Sequence, residues 1–287
     1  MEVTSSGAWH RLLCDPKGER SKMRQSSSAN WEKSSEACGR TMIIDKGLGK
    51  HAYSDLIETA GQYVDCIKLG FGTSPLYSDE QLQHKIRLAA KRNILIMPGG
   101  TLLEAAVAQD VVSSFFDSVC QLGFTAIEVS DGTIELSRRK RTELIREGAA
   151  RGLRVFTEYG KKTAGSTIDP FELADTAEED LQAGADLVTV EARESGIGVG
   201  LFDEQGNCRQ ETFERVIAQL PDVNRILWEA PLKSQQVLLL EAIGSNVNLG
   251  NIPPADVIAL EAMRRGLRSD TFPIITKQLP EPILYMI

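Results

Sequence analysis

From Thr41 onward, short apolar runs rich in β-branched residues alternate with stretches whose apolar residues recur at helical spacing. The runs are TMIID (41–45), VDCIKLG (64–70), ILIMPGG (94–100), TAIEVSDG (125–132), LRVFTEYG (153–160), DLVTVEARE (186–194), RILWEAP (225–231) and NVNLGNI (246–252). A run that is apolar at nearly every position, rather than at alternate ones, predicts a strand buried on both faces, as in a parallel sheet covered by helices. Between the runs, SDEQLQHKIRLAAKRN carries Ser78 as an N-cap with Gln81 three residues on. DPFELADTAEEDLQAGAD has Asp169 at the cap, Pro170 in the first turn and Gly184 at the stop, and PPADVIALEAMRRGLR repeats the logic with Pro253, Pro254 and Gly266. SRRKRTELIREGAARG predicts a further helix ending at Gly152. Several helices run into a glycine and then an apolar run (LGFTAIEV, RGLRVF, AGADLVTV), the mark of a short turn into a buried strand. Eight strand–helix units in about 240 residues match an α/β fold of the (β/α)8 TIM-barrel type in both number and length. A doubly wound open sheet competes, but no GxGxxG follows the first strand, and polar residues recur at the ends of nearly all eight strands.

The first forty residues lack this pattern. RSKMRQSSSANWEKSSEACGR is rich in serine and charge without an apolar period, which predicts a disordered extension. No continuous apolar region marks a signal peptide, and the segment reads either as a tail or as an upstream extension of the reading frame, with Met23 or Met42 as the alternative start. The expected organisation is an N-terminal extension over 1–40, a barrel domain over 41–273 and a C-terminal tail over 274–287.

Composition narrows the partners. With 287 residues and a formal net charge of −8, the chain lacks the basic balance that nonspecific nucleic-acid binding needs. An anionic small molecule stays open, since a site can be locally basic on an acidic protein. Cys14, Cys38, Cys66, Cys120 and Cys208 form no CxxC pair, which reads as reduced thiols in a cytoplasmic protein without a disulfide framework or a zinc site. His10, His51 and His84 are too scattered for a metal cluster, and no apolar run is long enough to span a membrane. The expected partners are small anions and further copies of the chain, as a homo-oligomer.

In such a barrel, chemistry sits at the C-terminal strand ends. In order these carry Asp45 and Lys46, then Lys68, Pro98-Gly99-Gly100, Glu128 with Ser130 and Asp131, and Glu158 with Lys161 and Lys162. Glu191 with Arg193 and Glu194, Glu229, Asn248 and Asn251 complete the series. One ionisable residue there is commonly a structural plug, whereas a ring of carboxylates and cations from six strands reads as a site for an anionic substrate and a divalent cation. Glu128, Glu158 and Glu191, from successive strands, offer the hard oxygen ligands that Mg²⁺ takes. Each alternatively neutralises Lys68, Lys161 or Lys162, and the pattern does not choose between these. Arg193 leads the Gly-rich ARESGIGVGLFD, either an anion-binding loop or a lid. Lys233 in EAPLKSQQ, and Gly250 and Asn251 in LGNIPP, stand where barrels of this type hold phosphate. Trp228, Cys66 and Cys120 read as core, and RRKR (138–141) as a solvated helix face.

Taken together, DKGLG, KLGFGTS, PGGTL, EVSDGTI, TEYGKK, EARESGIGVGLFD, EAPLKSQQ, NLGNI and RRGLRSDTF, spread from Thr41 to Phe272, resemble the phosphosulfolactate synthase family. The resemblance implies a Mg²⁺-dependent (β/α)8 enzyme that adds sulfite to phosphoenolpyruvate. Its product is (2R)-phospho-3-sulfolactate, an early intermediate of coenzyme M biosynthesis in methanogens. It further implies that the second lysine of GKK, Lys162, is the acid that protonates C2, with Lys161 beside it lowering its pKa or binding an anion. Lys46, Lys68 and Arg193 are then candidates for gripping sulfite and phosphate, with Ser130, Lys233, Gly250 and Asn251 completing the substrate side. Two alternatives accompany this reading. Another Mg²⁺-dependent lyase or isomerase acting through an enolate would use the same ring. A non-catalytic, stress-related binding or scaffold protein on the same barrel, as among plant relatives of the family, would not need Lys162 and the three glutamates.

Overall fold

The computed structural model describes residues 9–16, 20 and 39–272. Eight strands, β1 (Thr41–Asp45), β2 (Cys66–Leu69), β3 (Leu95–Pro98), β4 (Ala126–Val129), β5 (Arg154–Tyr159), β6 (Leu187–Val190), β7 (Ile226–Glu229) and β8 (Asn248–Ile252), fall inside the eight apolar runs. They pair in parallel in the order β3-β2-β1-β8-β7-β6-β5-β4. The two ends of that order meet at Thr125, whose N–H donates to Ile96 O at 3.1 Å while its Oγ1 accepts from Ile96 N–H at 2.9 Å. The result is the expected (β/α)8 barrel.

The outer layer comprises α1 (Lys50–Ala60), α2 (Asp79–Lys91), α3 (Gly100–Ala108), α4 (Val112–Leu122), α5 (Arg138–Ala150), α6 (Pro170–Ala183), α7 (Gln210–Gln219), α8 (Lys233–Ala242) and α9 (Val257–Arg264). The caps act as read: Ser78 Oγ accepts from Gln81 N–H, and Asp169 from the N–H groups of Phe171 and Glu172. Unlike the other strands, β3 is followed by two helices, α3 and α4.

Side chains alternate across each strand, and this alternation builds the site. One set, including Ile43, Ile67, Ile127, Val155, Val188, Trp228 and Leu249, packs outward under the helices. The other set fills the barrel with Met42, Cys66, Met97, Ala126, Phe156, Leu187 and Leu227. Two positions beyond Cys66, Ala126, Phe156 and Leu227 stand Lys68, Glu128, Glu158 and Glu229, so a charged layer lies directly on the apolar plug.

Two expectations are corrected. Cys120 is exposed, because α4 turns Phe115, Phe116 and Val119 inward and the next residue lies about 100° further round the helix. RRKR is not a uniformly solvated face. Arg141 is buried and forks onto Asp180 at 2.7 to 3.1 Å, Arg138 reaches the same carboxylate at 2.6 Å, and Arg139 remains exposed. In the N-terminal extension, Arg20 is buried and its guanidinium donates to Glu261 on α9 and to Gly39 O. The rest of 1–40, apart from residues 9–16, 39 and 40, and the tail over 274–287 lie outside the described residues. Among the described residues no helix is long and apolar enough to cross a membrane.

Candidate active site

At the centre of the barrel mouth stands Lys68, projecting inward from β2. Its Nζ lies 2.9 Å from Glu229 Oε1, 3.0 Å from Glu128 Oε1 and 3.7 Å from Glu158 Oε2. The outer oxygens of this layer are tied to loop backbone: Glu128 Oε2 accepts from Gly100 N–H and Glu229 Oε2 from Ala192 N–H, both at 3.0 Å. Lys162, from the loop after β5, reaches back to the same layer. Its Nζ is 2.9 Å from Glu158 Oε1, 3.7 Å from Glu191 Oε2 and 3.8 Å from Glu104 Oε1. Above them opens a cavity of about 190 Å³, which Lys68, Lys162, Glu128, Glu158, Glu191, Glu229, Arg193 and Asn251 help to line.

The fields within this layer push the groups apart. For Glu158, burial acts to raise the pKa, but Lys162 and Lys68 outweigh it and hold the carboxyl at about 2. Burial, reinforced by the charges of Glu158 and Glu229, pushes Glu191 well above the usual carboxylate range. Burial also raises Glu128, against the pull of Lys68. For both lysines burial favours the neutral amine, yet the carboxylates prevail and each pKa is raised. The expectation that Lys161 lowers the Lys162 pKa is therefore corrected. Lys161 Nζ turns away to Asp131 O at 2.8 Å, and the field at Lys162 is set by carboxylates.

Of the residues expected at the site, Lys68, Lys162, Glu128, Glu158, Glu191, Arg193 and Asn251 converge on the cavity. Ser130 is buried beside it and donates to Glu104. Lys46, Lys161, Lys233 and Gly250 are not brought to the lining. Asp45 is committed to the buried Lys85 and to the N–H groups of Gly47 and Leu48, and Lys46 next to it is exposed. Lys233 pairs with Asp270 at 2.8 Å, and Gly250 packs inside the barrel against Met42 and Leu227. Among the described residues, the carboxylates with oxygens all within 4.8 Å of one another are Glu158, Glu191 and Glu229, so Glu229 stands where Glu128 was expected. Glu104 on α3 escaped sequence reasoning; its signal is a lone charge within GTLLEAAVA.

Backbone strain gathers at the same place. The described non-glycine residues with positive φ are Asn93, Asp110 and Asn251 (52°), types that tolerate it, and Phe71 (58°) and Arg193 (61°), which do not; Phe71, Arg193 and Asn251 all line the cavity. Phe71 is held by close backbone passage over Gly99, where an added Cβ would lie 2.2 Å from Phe71 O.

Residues 31–270 match the family model of (2R)-phospho-3-sulfolactate synthase (ComA). The chain is 43% identical over 235 residues to the phosphosulfolactate synthase of Methanothermobacter thermautotrophicus, covering 81% of this chain and 91% of that protein. It is 40% identical over 238 residues to the phosphosulfolactate synthase of Methanocaldococcus jannaschii, covering 82% and 94%. The dihydrodipicolinate synthase structure from Agrobacterium tumefaciens superposes with a TM-score of 0.52 at 13% identity, covering 85% of this chain and 80% of that one, a likeness of fold alone. The sequence relatives make the chain an enzyme rather than a scaffold. By family match and by identity over four-fifths of its length, the chain belongs to the (2R)-phospho-3-sulfolactate synthase family.

Proposed function

We propose that the enzyme adds sulfite to phosphoenolpyruvate in a Mg²⁺-dependent reaction, giving (2R)-phospho-3-sulfolactate, with Lys162 as the proton donor to C2. The observation that carries this reading is the convergence of Lys162 and a cluster of buried carboxylates on one cavity. Glu158, Glu191 and Glu229 fit a divalent cation: all their donors are hard oxygens, and Glu191 Oε2 accepts no hydrogen bond among the described residues. When bound there, Mg²⁺ supplies positive charge for the substrate carboxylate as electron density moves onto it.

The protein's own groups account for the rest. Sulfite forms its S–C bond at C3, the C2=C3 electron pair moves toward the C1 carboxylate, and C2 then takes a proton from Lys162 Nζ. The raised pKa keeps Lys162 charged near neutrality, and Glu158, held at about 2, does not compete for its proton. The Lys162 side chain is 28% exposed, so water can return the proton after each turnover. Lys68, buried below, lacks that access and serves as fixed counter-charge. Arg193 offers a planar fork suited to phosphate or sulfite oxygens. The same reading takes the enzyme to be cytoplasmic and homo-oligomeric, the latter checked by sedimentation.

The test follows sulfite consumption with phosphoenolpyruvate and Mg²⁺. Turnover is expected, and Lys162→Ala should lower it by about 10²- to 10⁴-fold without loss of folded structure by circular dichroism. No turnover by well-folded wild-type protein overturns the reaction, and a near-wild-type rate in Lys162→Ala removes the lysine from the acid role.

A further inference from the structure

Glu104 is 2% exposed on α3, in a helix otherwise free of charge. A carboxylate in that position is costly unless its oxygens are satisfied. They are satisfied by one loop. Oε1 accepts from Ser130 Oγ, and Oε2 accepts from the N–H groups of Thr133 at 2.8 Å and Ile134 at 3.2 Å. Glu104 therefore ties α3 to the loop between β4 and α5.

That loop carries the lysine pair. Gly132 O accepts from Lys162 N–H at 3.3 Å. Asp131 O and Ile134 O accept from Lys161 Nζ at 2.8 and 3.4 Å. The Lys162 stem lies flat on Gly132, where an added Cβ would stand 3.0 Å from each of Cγ, Cδ and Cε. At the far end of the stem, Nζ is 3.8 Å from Glu104 Oε1 itself.

We propose that Glu104 is a positioning residue for Lys162: it fixes the 130–134 loop, whose bare Gly132 floor sets the path of the stem and hence the direction of Nζ. Lys161 is the outer end of the same clamp rather than a participant in the chemistry. This rests on the reading that Lys162 delivers the proton. A carboxylate that merely satisfied its own burial would affect stability but not the placement of a lysine on another loop.

Two variants and two readouts separate these roles. Glu104→Gln keeps one acceptor oxygen but places an amide NH₂ where one of the carboxylate acceptors stood. Gly132→Ala acts from the other side and is compatible with the backbone, since Gly132 is not in the left-handed region, but its methyl forces the lysine stem to move by a few tenths of an ångström. Both should lower kcat by about tenfold or more while leaving KM for phosphoenolpyruvate and sulfite within about twofold, because misorientation acts on the reacting geometry rather than on binding. Independently of turnover, reductive methylation of Lys162, mapped by mass spectrometry, should be faster in Glu104→Gln than in wild type.

A kcat within twofold of wild type in folded Gly132→Ala, or an effect on KM alone, overturns the proposal. So does unchanged Lys162 labelling in folded Glu104→Gln. If Glu104→Gln does not fold, Gly132→Ala decides. If Lys162→Ala retains activity, the donor reading fails, and labelling of Lys162 in Gly132→Ala and Glu104→Gln still decides whether the clamp exists.

Discussion

Lys68→Met keeps the length of the stem and removes the ammonium group from the middle of the carboxylate layer. In the wild type that ammonium lies 2.9 Å from Glu229, 3.0 Å from Glu128 and 3.7 Å from Glu158, with every partner buried. At an effective dielectric of about 20, two unit charges 3 Å apart attract by about 5–6 kcal/mol. Lys68 has two such partners, and dehydration of the three groups takes back most of the gain. The measurable quantity is what removal leaves behind, namely two buried carboxylates without their counter-charge. Breaking a buried pair in this way costs about 3–5 kcal/mol. With a urea dependence of about 3 kcal/mol per molar, that loss moves the unfolding midpoint down by about 1 M or more. Urea unfolding of chelator-treated protein at pH 7, followed by circular dichroism, measures it. Adding Mg²⁺ should recover more stability in the variant than in the wild type, since the variant has the larger negative surplus to neutralise. A loss below about 1 kcal/mol, the range of an exposed pair, would refute the assignment of Lys68 as the buried counter-charge.

Three further outcomes follow from particular residues. Phe71→Gly should leave thermal stability unchanged or slightly higher, since relief of about 1–2 kcal/mol of left-handed strain opposes the entropy cost of glycine, while turnover falls because a wall of the cavity is lost; a destabilised but fully active variant would contradict this. Burial, with Lys50, Arg87 and Lys85 nearby, lowers the pKa of His84 below 6.5, so around pH 6 the unfolded chain binds more protons than the folded one. Stability should therefore decline as pH falls through 6.5 toward the folded pKa, a slope absent in His84→Gln, and an NMR titration of the His84 ring should show a midpoint below 6.5. Alkylation at pH 8 mapped by mass spectrometry should find Cys120 modified well before Cys208, whose thiol burial pushes up to about 11, and before the buried Cys66.

The eight strands were legible because a strand covered on both faces has no polar position to break its apolar run, and each observed strand lies within the run that predicts it. Strand-end chemistry was legible for the same reason, as Lys68, Glu128, Glu158, Glu191 and Glu229 continue the inward alternation above the plug. The choice among them was not. Which three carboxylates approach one another depends on the stagger between strands, and that stagger selects Glu229 with Glu158 and Glu191. Loops carry no period, so nothing in GKK reveals that Lys161 and Lys162 point in different directions. Glu104 was hidden because the stretch after β3 was read only as a strand end, and the helix that buries it is the first of two in that connection. Arg141 shows the converse: a basic run looks solvated until a buried aspartate on the neighbouring helix claims one of its members.

The mouth is where the molecule departs from the rules that stabilise the rest of it. Below it, the plug and the outer core are apolar and closely packed. At the mouth, Glu104, Glu128, Glu158, Glu191 and Glu229 surround two lysines, all within a few ångströms. Two strained non-glycine residues, Phe71 and Arg193, line the same cavity. A surplus of buried carboxylate is unfavourable by itself, and the raised Glu191 and Glu128 pKa values express that cost. It would also repel the trianionic substrate proposed for it. The two objections share one remedy, because positive charge that settles among the carboxylates lowers their repulsion and makes the cavity able to accept an anion. Strain and charge surplus persist here because the surrounding barrel holds the groups in place, and under the proposed reaction they become useful when a cation and a substrate complete the set.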